Sequence, residues 1–194
     1  MRSPRKNEDY SLGGMLSSQS RTCLSAKMNL CMALQNYIAV MLESPNFDIV
    51  LYQPEIPQNT GNIGRLCVGT GCRLNLVEPL GFELDEKRCR RAGLDYWPDL
   101  DLKVWPTWGP SQVKGRCFLF TKNAKRSIFD VEFVHGDTLV FGCETQGLPK
   151  SMLEQYEAQT VSFPHYGPVR SQNLSNCVSA AVYLGLKDIH GSRG

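Results

Sequence analysis

Short apolar runs alternate with helical patterns along the chain from Phe47 onward. The runs are apolar at both odd and even positions, which is typical of strands buried on both faces of a parallel sheet. Apolar residues spaced three and four apart predict helices between them. This alternation predicts an α/β fold with a largely parallel sheet flanked by helices. The expected strands are Phe47–Tyr52, Arg73–Glu78, Leu102–Trp105, Arg116–Thr121, Thr138–Gly142 and Thr160–Phe163, and the expected helices are Asn59–Gly69, Asp85–Gly93, Pro149–Glu157 and one from about Arg170 to Leu186.

The last predicted helix carries two different stripes. One is apolar and predicts the side that faces the core. The other is polar but uncharged, whereas a solvent-facing stripe normally carries Lys and Glu. Amides and hydroxyls in a line favour burial against a ligand or a partner subunit, and the alternative is a buried helix satisfied within its own chain. The apolar stripe is Leu174, Val178, Ala181, Val182 and Gly185, and the polar one is Gln172, Asn176, Ser179 and Tyr183.

Residues 1–45 differ from the rest of the chain. The segment to about Ser20 is polar and rich in Gly and Ser, so we expect it to be poorly ordered. Met28–Leu42 is more apolar, but it is interrupted by Asn and Gln and is too short for a membrane span. We therefore expect an appendage over residues 1–45, one globular domain over residues 46–194, and no membrane segment.

The charge balance limits how nucleic acid could be bound. The net charge is +2, and residues 46–194 carry as many cationic as anionic side chains. Any contact with nucleic acid must then come from a local patch. The predicted helix after Asp85 supplies one, although a charge-balanced surface helix is the alternative. The cationic residues of this patch are Lys87, Arg88, Arg90 and Arg91.

The cysteines and histidines indicate neither disulfides nor a metal. None of the eight Cys forms a C-x-x-C pair, and most lie in apolar runs. This usage is typical of reduced thiols in a cytoplasmic protein. The three His lie far apart without ligand spacing, so we predict no metal site.

Two loops that follow predicted strands carry candidate chemistry. In Pro54–Arg65, Asn59 and Thr60 are expected to cap a helix whose backbone N–H groups favour an anion, with Arg65 one turn further in. The alternative is a solvated Arg65, and the G-x-G-x-x-G pattern of dinucleotide sites is absent. In Gly142–Pro149, Glu144 lies at the carboxyl end of a strand, where open α/β sheets bind ligands. Its alternative is a tight turn with a solvated Glu.

Taken together, three stretches resemble the signatures of the SPOUT methyltransferases. They are N-T-G-N-I-G-R, G-C-E-T-Q-G-L-P and R-S-Q-N-L-S-N-C-V-S, in that order, and the resemblance covers about Asp48 to Leu186. L-Y-Q-P-E-I-P-Q-N-T-G-N-I-G-R-L-C and the run from Glu78 to Tyr96 are similar to one subgroup. That subgroup methylates the ribose 2′-oxygen of the wobble nucleotide, position 34, a cytidine or modified uridine of leucine tRNAs.

The resemblance implies a C-terminal trefoil knot, an obligate homodimer, and S-adenosylmethionine as cofactor, with S-adenosylhomocysteine as product. It implies an RNA surface that includes Arg170 and the basic helix. The implied cofactor-binding residues are Leu119, Gly142, Phe163, Ser171 and Gln172, and the implied methyl-transfer residues are Arg65, Asn62, Glu144, Asn173, Asn176 and Tyr183.

Three positions depart from the family pattern. Cys143 and Gln146 stand where Pro and Arg are usual, and Gln172 stands where Met is common. Gln146 puts an RNA contact in doubt, and with it the tRNA substrate. The alternative functions are 2′-O-methylation at another tRNA or rRNA site, and an RNA-binding module without catalysis.

Overall fold

The computed structural model describes residues 44–84, 95–109, 112–113, 115–169 and 171–191. Most of the predicted appendage and the predicted helix Asp85–Gly93 lie outside these residues. Within these ranges, six strands form one sheet in the order β3-β2-β1-β5-β4-β6, and every neighbouring pair is parallel. The predicted α/β class with a parallel sheet flanked by helices is confirmed. The strands are β1 Phe47–Tyr52, β2 Arg73–Val77, β3 Leu102–Trp105, β4 Cys117–Phe120, β5 Asp137–Phe141 and β6 Thr160–Val161, and the helices are α1 Pro57–Thr70, α2 Lys150–Gln155 and α3 Leu174–His190.

The central strands β2, β1, β5 and β4 are largely buried on both faces, as the apolar runs predict, whereas the edge strand β3 is partly exposed. Residues at alternate positions of β1 belong to different core clusters, with Ile49 on the face covered by α1 and α3 and Val50 on the face covered by α2. Gly185 of α3 packs so closely on Phe47 that a Cβ there would lie 2.5 Å from its ring. The last helix therefore rests directly on the first strand.

The elements begin and end slightly differently from the prediction. Helix α1 starts at Pro57, two residues before Asn59, because proline fits the first helical position, where no N–H partner is needed. It ends one residue late, at Thr70, since Gly71 closes it in the left-handed conformation with φ 63°. Helix α2 is shorter than predicted and is followed by a 3-10 turn, Glu157–Gln159. Helix α3 continues to His190, beyond the predicted Leu186.

The C-terminal segment meets the connection between β4 and β5 twice. Ser162, just after β6, accepts a hydrogen bond from Ile128 N–H and donates one to the Arg126 carbonyl, both at 2.9 Å. Asp188, near the end of α3, accepts a hydrogen bond from Phe133 N–H at 3.1 Å. The C-terminal segment thus contacts this connection both just after β6 and near the end of α3. The trefoil knot itself stays a prediction from the resemblance.

Candidate active site

The carboxyl ends of β1 and β5 lie side by side, because Leu51 pairs with Phe141. The loops after these two strands therefore meet at one edge of the sheet. Glu144, in the loop after β5, accepts hydrogen bonds from the backbone N–H groups of Glu55 at 2.8 Å and Ile56 at 3.3 Å. The alternative of a solvated Glu in a plain turn is wrong, since this carboxylate binds the start of α1.

Asn59 joins all three predicted motifs. Its side-chain N–H donates to Glu144 at 2.7 Å, and its carbonyl oxygen accepts from the side-chain N–H of Asn173 at 2.9 Å. Asn59 is only 4% exposed, so both bonds are made in a shielded environment. Its predicted role as a helix cap is wrong, because α1 begins earlier and the side chain points into this chain of amides. The Thr60 hydroxyl does not cap the helix either: it is buried without a partner in the described part of the chain.

Asn173 is itself the N-cap of α3, which begins at Leu174, later than the predicted start at about Arg170. Its side-chain oxygen accepts hydrogen bonds from the N–H groups of Ser175 at 2.9 Å and Asn176 at 3.4 Å. The start of α3 is therefore oriented by the same side chain that contacts Asn59. In this arrangement Glu144 accepts three N–H groups, which occupy most of its lone pairs and suit it to hold the loops together rather than to accept a proton.

Arg65 lies on the exposed side of α1, next to the segment that follows residue 94. Its guanidinium is 3.8 Å from the Asp95 carboxylate and 5.1 Å from the centre of the Tyr96 ring. Tyr96 is 9% exposed, and its hydroxyl donates to the Gly61 carbonyl. A Cβ at Gly64 would lie 3.4 Å from the Tyr96 ring, so this ring packs against α1 at ordinary van der Waals distance. Arg65 is thus placed by a buried aromatic platform and is more than a freely solvated helix residue.

The other predicted methyl-transfer residues lie at the surface. Asn62 and Asn176 are exposed, and Tyr183 is 62% exposed. Among the residues described, no hydrogen bond joins the side chains of Asn62 or Tyr183 to the chain of Glu144, Asn59 and Asn173. The polar stripe of α3 is therefore not buried within its own chain, and that alternative is wrong. The apolar stripe is buried as predicted.

Three of the predicted cofactor residues lie on or just after neighbouring strands. Leu119 is fully buried within β4, Gly142 follows β5 and Phe163 follows β6. Ser171 and Gln172 are exposed just before α3. Phe163 stacks on Phe120, with ring centres 5.5 Å apart. The loops after these strands therefore offer an aromatic pair against which a flat ring, such as the adenine of S-adenosylmethionine, can pack.

The loop after β5 closes on itself. Gly147 N–H donates to the Cys143 carbonyl at 3.0 Å, and Gly147 has φ 71°. The Cys143 thiol lies 3.6 Å from the Gly147 carbonyl, so the residue that replaces the usual proline is compatible with the tight turn. Gln146 is exposed at the tip, where it can neither disturb the turn nor supply the missing cation.

Two open grooves lie beyond this edge, at β4 and β6. One, of about 500 Å³, includes Arg116 and Arg126, and the other, of about 930 Å³, includes Lys125 and Lys150. Neither contains a predicted cofactor residue.

Several predicted residues lie outside the described part of the chain. They are the RNA-binding residues Lys87, Arg88, Arg90, Arg91 and Arg170. Within the described ranges, no three His, Cys, Asp or Glu side chains form a group that could hold a metal ion. No helix in those ranges is both long and apolar enough to span a membrane.

Comparisons with known proteins agree with this architecture. The model of the SpoU rRNA Methylase family matches residues 46–183. The tRNA (cytidine(34)-2′-O)-methyltransferase of Aeromonas hydrophila is 47% identical over 140 residues, covering 70% of this chain and 90% of the relative. The enzyme of the same description from Saccharophagus degradans is 48% identical over 141 residues, covering 71% of this chain and 92% of the relative.

Solved structures show the same fold. A structure from work on the 2′-OH methylation of C/U34 on tRNA is 40% identical, with a TM-score of 0.68, and the match covers 75% of this chain and 97% of the other. The SpoU methyltransferase AviRb from Streptomyces viridochromogenes, in complex with AdoMet, is 23% identical with a TM-score of 0.60, covering 74% of this chain and 58% of the other. The family match spans both the sheet and the three motifs joined by Asn59, and the chain therefore belongs to the SpoU methylase family.

Proposed function

We propose that the protein transfers a methyl group from S-adenosylmethionine to the ribose 2′-oxygen of the wobble nucleotide of tRNA. The observation that carries this proposal is the chain of hydrogen bonds from Glu144 through Asn59 to Asn173, which holds the three motifs at one edge of the sheet. Relatives with 47% and 48% identity are described as methyltransferases of cytidine 34. A leucine tRNA, with cytidine or a modified uridine at position 34, is the substrate that the sequence resemblance favours.

The chemistry sets what the protein must supply. When bound, S-adenosylmethionine provides an activated methyl group on a sulfonium. The main task of the protein is then to align the ribose 2′-oxygen with that carbon and sulfur. The methyl group moves from sulfur to oxygen, and the hydroxyl proton leaves to solvent. Leu119, Gly142, Phe163, Ser171 and Gln172 are proposed to hold the cofactor along the edge described above.

Arg65 is proposed as the residue that acts on the ribose. A guanidinium remains protonated at neutral pH, so it cannot serve as an ordinary base. It can bind an RNA phosphate and stabilise negative charge that develops on the 2′-oxygen. The Tyr96 ring lies 5.1 Å from its guanidinium, and the exposed Asp95 carboxylate is 3.8 Å away. Glu144 and Asn173 are then positioning residues, since their polar atoms already bond to the neighbouring loops.

A second copy of the chain is proposed to complete the site. The face of α3 with Asn176 and Tyr183 is exposed in the single chain and carries no charge along its polar stripe. Such a face is compatible with burial against another subunit, where amides and hydroxyls can pair. The proposed homodimer would place Tyr183 and Asn62 against a neighbour. A cytoplasmic location is also proposed, because the described cysteines are free and Cys67, Cys72 and Cys117 are buried.

The test uses the purified full chain with labelled S-adenosylmethionine and bulk tRNA, followed by nuclease digestion and mapping of the labelled nucleotide. We expect label on a 2′-oxygen at position 34. Label in ribosomal RNA or at another tRNA position would show that the proposed substrate is wrong. Absence of transfer despite cofactor binding would favour an RNA-binding module. Arg65→Ala should abolish transfer while S-adenosylmethionine affinity changes less than about twofold, because Arg65 is not among the cofactor positions. Arg126→Ala, an exposed arginine outside the candidate site, is the matched control.

A further inference from the structure

The turn before α1 and the loop after β5 hold each other by reciprocal bonds. The Glu144 carboxylate accepts the backbone N–H of Glu55 at 2.8 Å. In return, the Glu55 carboxylate accepts the backbone N–H of Thr145 at 3.2 Å and its hydroxyl at 2.7 Å. Two consecutive residues of one loop are therefore fixed by a single residue of the other. Glu55 was not singled out by the sequence, since its partner lies 90 positions away.

The backbone of Glu55 has little freedom to move. Gly81, in the loop after β2, lies against it so closely that a Cβ would be 2.7 Å from the Glu55 Cα. Gly81 N–H also donates to the neighbouring Pro54 carbonyl at 2.9 Å. Glu55 is thus clamped on one side by Gly81 and bound on the other to Thr145. A residue held in this way can act as a fixed support for the loop that it binds.

The loop that Glu55 supports carries the proposed cofactor contact. Its two ends are joined by the hydrogen bond from Gly147 to Cys143. Between these ends, two residues bond to the turn before α1 and to α1 itself. Glu144 bonds to Glu55, Ile56 and Asn59. Thr145 bonds to Glu55. Glu144 fixes the inner side of the loop and Thr145 its tip. Loss of the bonds at Thr145 would leave the tip attached on one side only.

We propose that Glu55 is a positioning residue that holds the loop Gly142–Gly147 in the shape that binds S-adenosylmethionine. The proposal rests on the proposed function, because it takes this loop as part of the cofactor site. Glu55 touches neither cofactor nor RNA in this account. It acts through Thr145, and removal of either partner should weaken cofactor binding by the same mechanism.

The experiment measures S-adenosylmethionine affinity by titration calorimetry, at a temperature where every variant is folded. Glu55→Ala removes both bonds to Thr145 and should weaken binding about tenfold, whereas Thr145→Val removes only the hydroxyl bond and should weaken binding by up to about tenfold, since these are hydrogen bonds to a charged group. The double variant should also lose about tenfold, not the roughly hundredfold expected of independent sites. Thr145→Ser keeps both donors and should stay within about twofold of wild type. Glu55→Gln keeps one acceptor and should lie between wild type and Glu55→Ala.

Glu157→Ala is the matched control, because it removes an exposed carboxylate from the turn after α2. It should bind the cofactor as wild type does. The inference is overturned if Glu55→Ala binds the cofactor normally, or if the losses from Glu55→Ala and Thr145→Val multiply. A wild-type chain that binds no S-adenosylmethionine would instead refute the proposed function. Weaker cofactor binding that simply parallels a lower midpoint of thermal unfolding, with Thr145→Ser binding no better than Thr145→Val, would mark Glu55 as a structural residue. That result would refute its positioning role.

Discussion

Replacing Gly142 with alanine should open the loop after β5. The added Cβ would lie 2.1 Å from the Gly147 carbonyl carbon and 2.3 Å from the Leu148 nitrogen, both of them backbone atoms. Non-bonded carbon atoms normally stay about 3.5–4.0 Å apart, so one strand of the loop must move by more than about 1 Å. A misplacement of about 1 Å near a reacting centre can cost roughly 100-fold in rate. We therefore expect Gly142→Ala to lose at least about 100-fold in kcat/KM, with weaker cofactor binding.

Two further glycines make the test specific. At Gly147 a Cβ meets nothing within 4 Å, but φ is 71°, so Gly147→Ala should cost only the left-handed strain of about 1–2 kcal/mol. Gly69, inside α1, also has free space around a Cβ. Gly69→Ala should raise the free energy of unfolding by about 0.5–1 kcal/mol. Steady-state kinetics, calorimetry with S-adenosylmethionine and urea unfolding would be compared for the three variants. Gly142→Ala with near wild-type kcat/KM would refute the steric reasoning.

Substitutions at Asn59 and Tyr96 and alkylation of Cys117 provide three further tests. Asn59→Asp places a second carboxylate against Glu144 at a buried position, which raises the pKa of the pair. The variant should lose about 2–3 kcal/mol of stability at pH 8 and progressively less as the pH falls toward about 4. A loss that does not depend on pH, measured by urea unfolding at several pH values, would contradict this. Tyr96→Leu should lower kcat about two- to fivefold, since an exposed cation–π contact to Arg65 contributes about 0.5–1 kcal/mol, whereas Tyr96→Phe should keep most of the rate; equal kcat in both variants would count against the platform. Burial raises the pKa of the Cys117 thiol to about 12, so iodoacetamide at pH 8 should alkylate it only after unfolding, and peptide mapping that finds rapid labelling of the folded protein would disprove this.

The strands could be predicted almost to the residue because the central ones are buried on both faces and are therefore mostly apolar. β1 and β3 have the predicted bounds, and the others end within a few residues of them. Their order in the sheet could not be predicted, since β1 pairs with β2 and also with β5, and 84 residues separate the end of β1 from the start of β5. Such pairing depends on packing of the whole chain and leaves no local pattern in the sequence.

Site residues could be predicted where the residue type and its position next to a strand or helix together indicate a role. Glu144 after a strand and Asn173 before a helix are of this kind, and the structure brings both to one edge. Asn59 was expected to cap a helix, because asparagine near a helix start usually does. Asn59 instead bonds to Asn173, which lies 114 positions away. Only the folded structure determines whether the Asn59 side chain bonds to the nearby backbone or to this distant residue. Glu55 was missed for the same reason.

The contact of the last helix with the first strand bears on how the chain acquires its structure during synthesis. Phe47 and Ile49 are fully buried, partly by residues of α3 such as Val178 and Val182. A ribosome completes α3 long after it has completed β1, so this apolar face stays uncovered while most of the protein is being made. Folding that depends on such distant pairings is slow, and exposed strands favour aggregation. A chain stopped before Leu174 should therefore be a poor folder and a target for chaperones, even though it contains all six strands.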